Sequence, residues 1–116
     1  MLLFVYGCLK RNGYLSPALA EAKFLKTTRT VPQFKLYDIL NFPGMIPAKN
    51  GSYVRGELWD VSEENMEDLD YIEGIHTGLF RRELIDLESG EKAFAYIYNN
   101  KLDEDSKDIG SEWINE

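Results

Sequence analysis

The chain has 116 residues, enough for one domain and too few for two ordinary ones, and its 44% hydrophobic and 28% charged content is that of a folded globular protein. A net charge of −7 disfavours nucleic acid and anionic membrane as partners, while one Cys and one His exclude an intramolecular disulfide, a structural zinc site and a two-His metal site. No Asp-rich calcium loop, membrane-length apolar run or basic-flanked leader is present, so the expectation is a cytoplasmic protein working without metal or cofactor.

Residues 2–6 form an unbroken apolar run that predicts a strand buried on both faces, ended by Gly7 and followed by an Asn12-Gly13 turn. Ser16-Pro17 reads as an N-cap and first helical proline, predicting a short helix to about Phe24. Residues 27–31 and 34–40 are β-prone. Residues 41–47 hold two prolines and a glycine, which deny them a regular central strand; Phe42, Met45 and Ile46 predict a loop packed over something. Residues 53–61 read as a strand. Ser62 caps the clearest helix, from Glu63 to about Ile72, with Glu63 and Glu64 at the positive end of its dipole. Residues 80–87 and 92–98 form a hairpin. Residues 99–116 carry six acidic side chains and predict a tail lightly docked on the 1–98 domain through Ile109 and Trp113.

In the last strand Phe94, Tyr96 and Tyr98 alternate with Ala93, Ala95 and Ile97, so both faces need cover. About six strands and two short helices then predict an α+β fold built as a small mixed β-barrel.

Glu73 is in an unfavourable place for an ionised carboxylate. On a helical wheel it shares a face with Met66, Leu69 and Asp70, which turns it inward. It also sits at the negative end of the helix, before a terminating Gly74. Both effects predict a raised pKa, unless the helix ends early or Glu73 pairs with Arg81 or Arg82.

The stretch Val5-Tyr6-Gly7-Cys8-Leu9-Lys10-Arg11-Asn12-Gly13 resembles the Tyr-Gly-(Ser/Thr)-Leu-(Lys/Arg)…Gly signature of the gamma-glutamylcyclotransferase-like family. Further landmarks follow in the family's order: Phe42-Pro43-Gly44-Met45-Ile46-Pro47, Val54-Arg55-Gly56-Glu57-Leu58-Trp59, Leu69-Asp70-Tyr71-Ile72-Glu73-Gly74 and Phe80-Arg81-Arg82. The resemblance implies a small β-barrel with flanking helices and a cofactor-free reaction. A γ-glutamyl amine or amino acid closes on itself to 5-oxoproline and releases the amine. It implies Glu73 as general base and acid, and Tyr6, Gly7, Cys8 and Leu9 as residues around the small-molecule substrate. Arg82, on Phe80's side of its strand, is expected to meet the substrate carboxylate or to pair with Glu73 or Asp70.

Two positions depart from the pattern. Cys8 stands where the family has Ser or Thr, and Phe80 where it has Tyr. Cys8 also opens a rival reading, a nucleophilic pair with His76, and a pocket that binds without turnover is the alternative from a different functional class.

Overall fold

In the computed structural model, which describes residues 1–115, strand β1 (Leu2–Val5) runs through the middle of the molecule because both its faces are apolar. Successive side chains of a strand point to opposite faces, and here each face meets its own core. Leu3 and Val5 join one buried cluster with Met66 and Leu69; Phe4 and the following Tyr6 join another with Leu36, Met45 and Ile97.

Strand β5 (Arg55–Asp60) pairs antiparallel with β1, setting Leu3 opposite Trp59, and β7 (Lys92–Tyr98) pairs with it in parallel. Outside these lie β2 (Lys23–Arg29) against β5 and β6 (Phe80–Asp86) against β7, giving the order β2-β5-β1-β7-β6. A second sheet has β3 (Phe34–Asp38) between β4 (Pro43–Pro47) and β8 (Lys107–Asp108). The five-stranded sheet thus has the smaller sheet on one face. The other face is covered by α1 (Glu63–Ile72), whose Met66 and Leu69 are buried. This is a mixed α+β architecture. Among the described residues the pairings form two sheets, with no closed barrel.

Two segments differ from the sequence reading, and a third gains a strand. The expected helix at residues 16–24 is a single 3-10 turn, Ser16–Leu19, without a side-chain cap, and the chain is already β-strand at Lys23. Phe24 pairs with Trp59 across β2 and β5, their rings edge to face at 5.5 Å, and this tertiary pairing outweighs the local helix signal. Residues 43–47 are a strand instead of a loop. It lies at a sheet edge, the one place where its prolines cost no ladder bond. The turn joining it to β3 places Leu40 and Asn41 at φ 57° and 68°, both left-handed, as a two-residue hairpin requires. Finally, β8 pairs with β3, and Ile109 and Trp113 pack on the inter-sheet core.

The two sheets are pinned where β1 ends. The Tyr6 hydroxyl donates to the Tyr96 carbonyl of β7 at 2.5 Å and accepts from the Met45 N–H of β4 at 3.2 Å. Tyr6→Phe leaves a buried carbonyl and a buried amide without partners. We expect it to lower unfolding free energy by about 1–3 kcal/mol, read as a lower urea midpoint at unchanged slope.

Candidate active site

Beyond Tyr6 the chain turns sharply. Lys10 N donates to Gly7 O at 3.1 Å, Gly13 N to Lys10 O at 2.7 Å and Leu15 N to Cys8 O at 3.0 Å. Glycine is required at position 7 by close packing, since a Cβ there would meet Pro43 Cγ at 2.6 Å. The carbonyls of this turn are therefore occupied. Among the described residues outside the sheet ladders, the N–H groups of Gly7, Cys8 and Leu9 donate to no other residue's carbonyl, and that of Cys8 lies within reach of its own thiol.

A cavity of about 190 Å³ opens here. Its floor is residues 4–9. One wall is Phe42 and Pro43 from the β3–β4 hairpin, another is Ile72 and Glu73 from the end of α1, and Tyr14, Leu15 and Leu79 lie around it. Phe80 and Tyr96 complete the lining. Phe80 is clamped between the rings of Phe42 and Tyr98, at 5.9 and 5.8 Å.

Glu73 is the one charged residue in that lining. It is the C-terminal cap of α1, its N–H bonded to Leu69 O, and Gly74 at φ 70° then turns the chain away. Burial pushes its carboxyl from an ordinary 4.5 up to about 7; no side chain donates to it or pairs with it among the described residues. Its charge in turn raises the Cys8 thiol, after the larger effect of burial there. The Tyr14 phenol is raised by burial, then by Cys8 and Glu73. Glu73 thus lies near enough to the turn for its charge to act there.

Asp70, one turn earlier, has a different environment. Both its oxygens accept from Arg82 Nη1, at 2.9 and 3.1 Å, and Oδ1 accepts from the Tyr96 hydroxyl at 2.8 Å. Arg82, expected beside the substrate, does not line the cavity; it is held by Asp70 and lies over the Phe94 ring. Its charge is thereby kept from Glu73. Tyr6 lines the cavity with its hydroxyl committed to the inter-sheet pin, and burial pushes that phenol far up. Gly7, Cys8 and Leu9 line it as well.

His76 stacks on Tyr71 at 4.7 Å and is not part of the lining that holds Cys8. The sequence reading missed Tyr96, whose position followed only from strand alternation, and Tyr14, which a turn signal does not aim. Among the described residues no cluster of three or more His, Cys, Asp or Glu has a metal-holding arrangement. No helix among them is long and apolar enough to cross a membrane.

Known proteins are similar to this chain in sequence and in fold. A Vibrio cholerae relative, provisionally named as a gamma-glutamylcyclotransferase, is 32% identical over 97 residues, which are 84% of this chain and 81% of that one. The crystal structure of a uropathogenic E. coli-specific protein superposes with a TM-score of 0.83 at 27% identity, covering 95% of this chain and 90% of the other. A Mus musculus AIG2-like protein does so at 0.74 and 26%, covering 87% and 78%. The profile of the family described as gamma-glutamyl cyclotransferase, AIG2-like, matches residues 3–115. With a match of that extent, the chain belongs to the gamma-glutamylcyclotransferase family of enzymes.

Proposed function

We propose that the protein converts a γ-glutamyl amine or γ-glutamyl amino acid to 5-oxoproline and the free amine, with Glu73 as general base and then general acid. The observation that carries this reading is a desolvated carboxyl without a partner among the described residues, lining a small cavity together with a turn whose Gly7, Cys8 and Leu9 N–H groups, among those residues, donate to no other residue's carbonyl outside the sheet ladders. Consecutive N–H groups of a turn suit a carboxylate or a developing oxyanion, so this turn would take the substrate's α-carboxylate.

Held in that way, the substrate's α-amine is brought near Glu73 and its own γ-carbonyl. The amine nitrogen forms a bond to the carbonyl carbon, closing a five-membered lactam. Glu73 takes the proton that the nitrogen loses and gives it to the departing nitrogen as the γ-amide bond breaks, so proton and bond counts balance. Nucleophile and electrophile share one molecule, which leaves the protein chiefly the work of folding it into a reactive geometry. A carboxyl titrating near neutrality is matched to both proton transfers. Arg82 supports the site at one remove, by occupying Asp70. The amine side meets Tyr14, Leu15, Ile72 and Leu79, apolar surface that favours a leaving group of low charge.

The test is release of 5-oxoproline from a panel of γ-glutamyl compounds. Glu73→Gln should lower turnover by about 10²–10⁴-fold, the usual worth of a positioned base. Wild-type kcat/KM should fall about tenfold per pH unit below about 7, where Glu73 becomes protonated. A panel bound without turnover would replace this reading with that of a binding module.

The same substitution should stabilise the fold. Glu73 titrates near 4.5 when unfolded and about 7 when folded, so its destabilisation is absent below about 4.5, grows as pH rises and is complete above about 7. We expect Glu73→Gln to gain about 1–2 kcal/mol at pH 8, the linkage value discounted for residual solvent contact, and much less at pH 5, by thermal unfolding at both. Cys8→Ser should leave turnover within about threefold, whereas a Cys8–His76 nucleophilic pair would make it crippling.

A further inference from the structure

The C-terminal segment is tied to the turn at residues 7–12 by bonds in both directions. The amide nitrogen of Asn115 donates to Gly7 O at 3.1 Å and approaches Asn12 Oδ1 at 3.3 Å, while its Oδ1 accepts from the Trp113 indole N–H at 3.0 Å. Indole can only donate and a carbonyl can only accept, so this network fixes which end of the Asn115 amide faces which partner. In return Lys10, buried within the turn, donates from Nζ to Trp113 O at 2.6 Å.

The consequence lies in the geometry of one peptide group. Gly7 O receives two donors, Lys10 N and Asn115 Nδ2, so both its lone-pair directions are used. A trans peptide is planar, with its N–H directed opposite to its C=O. Holding Gly7 O from the outer side therefore fixes the direction of Cys8 N–H on the other side. Cys8 O, bonded to Leu15 N, fixes Leu9 N–H by the same rule. Cys8 and Leu9 line the cavity; Asn115 and Trp113 do not, and lie instead along a groove on the outer side of the turn with Lys10, Arg11 and Asn12. Donation to the carbonyl also polarises the peptide, which makes its N–H a better donor.

We propose that Asn115 is a positioning residue for carboxylate binding: through Gly7 O it holds the first peptide of the turn so that the Cys8 N–H is presented to the substrate's α-carboxylate. This rests on the cyclotransferase reading for the identity of the substrate, but not for the existence of the carboxylate site. Asn115 touches no reacting atom. Its loss should weaken ligand capture and leave the proton transfers at Glu73 alone.

Asn115→Asp replaces the donor with an acceptor facing Gly7 O. We expect KM for a γ-glutamyl substrate, and the Kd of 5-oxoproline by calorimetry, to rise about tenfold. kcat should stay within about twofold, and the acidic limb of the pH profile should not move. Trp113→Phe, which frees Asn115 Oδ1 and keeps an aromatic ring packed on the core, should shift KM and Kd the same way by about two- to threefold and serves if the first variant folds poorly. Ile114→Ala, at an exposed neighbour, should match wild type. Unchanged KM and Kd in both variants, or a loss confined to kcat or to melting temperature, would overturn the proposal. If no γ-glutamyl compound is turned over, the catalytic reading fails and 5-oxoproline binding still decides this one: an Asn115-dependent Kd supports it, and no binding to wild type refutes it.

Discussion

The Tyr6 hydroxyl, placed between the Tyr96 carbonyl and the Met45 amide, ties together three strands from two sheets at one buried point. A hydroxyl can donate once and accept as well, so a single side chain satisfies a carbonyl on one sheet and an amide on the other. That is why the chain leaves β1 at a defined place and angle. Every residue on the floor of the cavity lies within three positions of this pin. Pro43 can close over Gly7 because β4 is held there, and the turn starts from a residue bonded to both sheets. The cavity belongs to the seam between the sheets.

A second constraint separates two carboxylates that share a helical face. Asp70 is given a guanidinium and a phenol, and Glu73, three residues on, is given neither. At the end of α1 the backbone carbonyls also point towards Glu73's end of the helix, so the dipole adds to the cost of its negative charge. The ion pair commits the Arg82 guanidinium to Asp70; beside Glu73 the same cation would draw that carboxyl's pKa downward.

The helix and its terminal Glu73 were legible in the sequence because every signal there is local. Ser62 caps α1 with its own Oγ, the apolar residues recur at helical spacing, and Gly74 supplies the left-handed turn. β1 and β7 were legible because an apolar residue on each face has one structural explanation. What was not legible depended on contacts distant in sequence. Local signals at Ser16-Pro17 favour a helix; the Phe24–Trp59 pairing that displaces it spans 35 positions. Two prolines exclude a central strand, yet nothing local says that residues 43–47 would find an edge. Arg82 shares Phe80's side of β6 by alternation, and only the fold shows that Asp70 takes it first.

The fold accepts strain in the same small region where it places its chemistry. Leu40 adopts a left-handed backbone that costs a branched residue on the order of 1–2 kcal/mol, and it is 82% exposed, so no burial of its own offsets that cost. The strain is tolerated because both flanks of the turn are fixed: Asp38 is paired with Pro43, Ile39 N donates to Phe42 O at 2.9 Å, and Phe42 packs on Phe80. A looser connection would relieve Leu40 and also free Phe42 and Pro43, which line the same cavity as Glu73. Because burial is what raises the Glu73 carboxyl, any opening of that cavity to water would draw its pKa back towards 4.5. The tight hairpin and the perturbed acid thus belong to one cavity, and the geometry of the first bears on the solvation of the second.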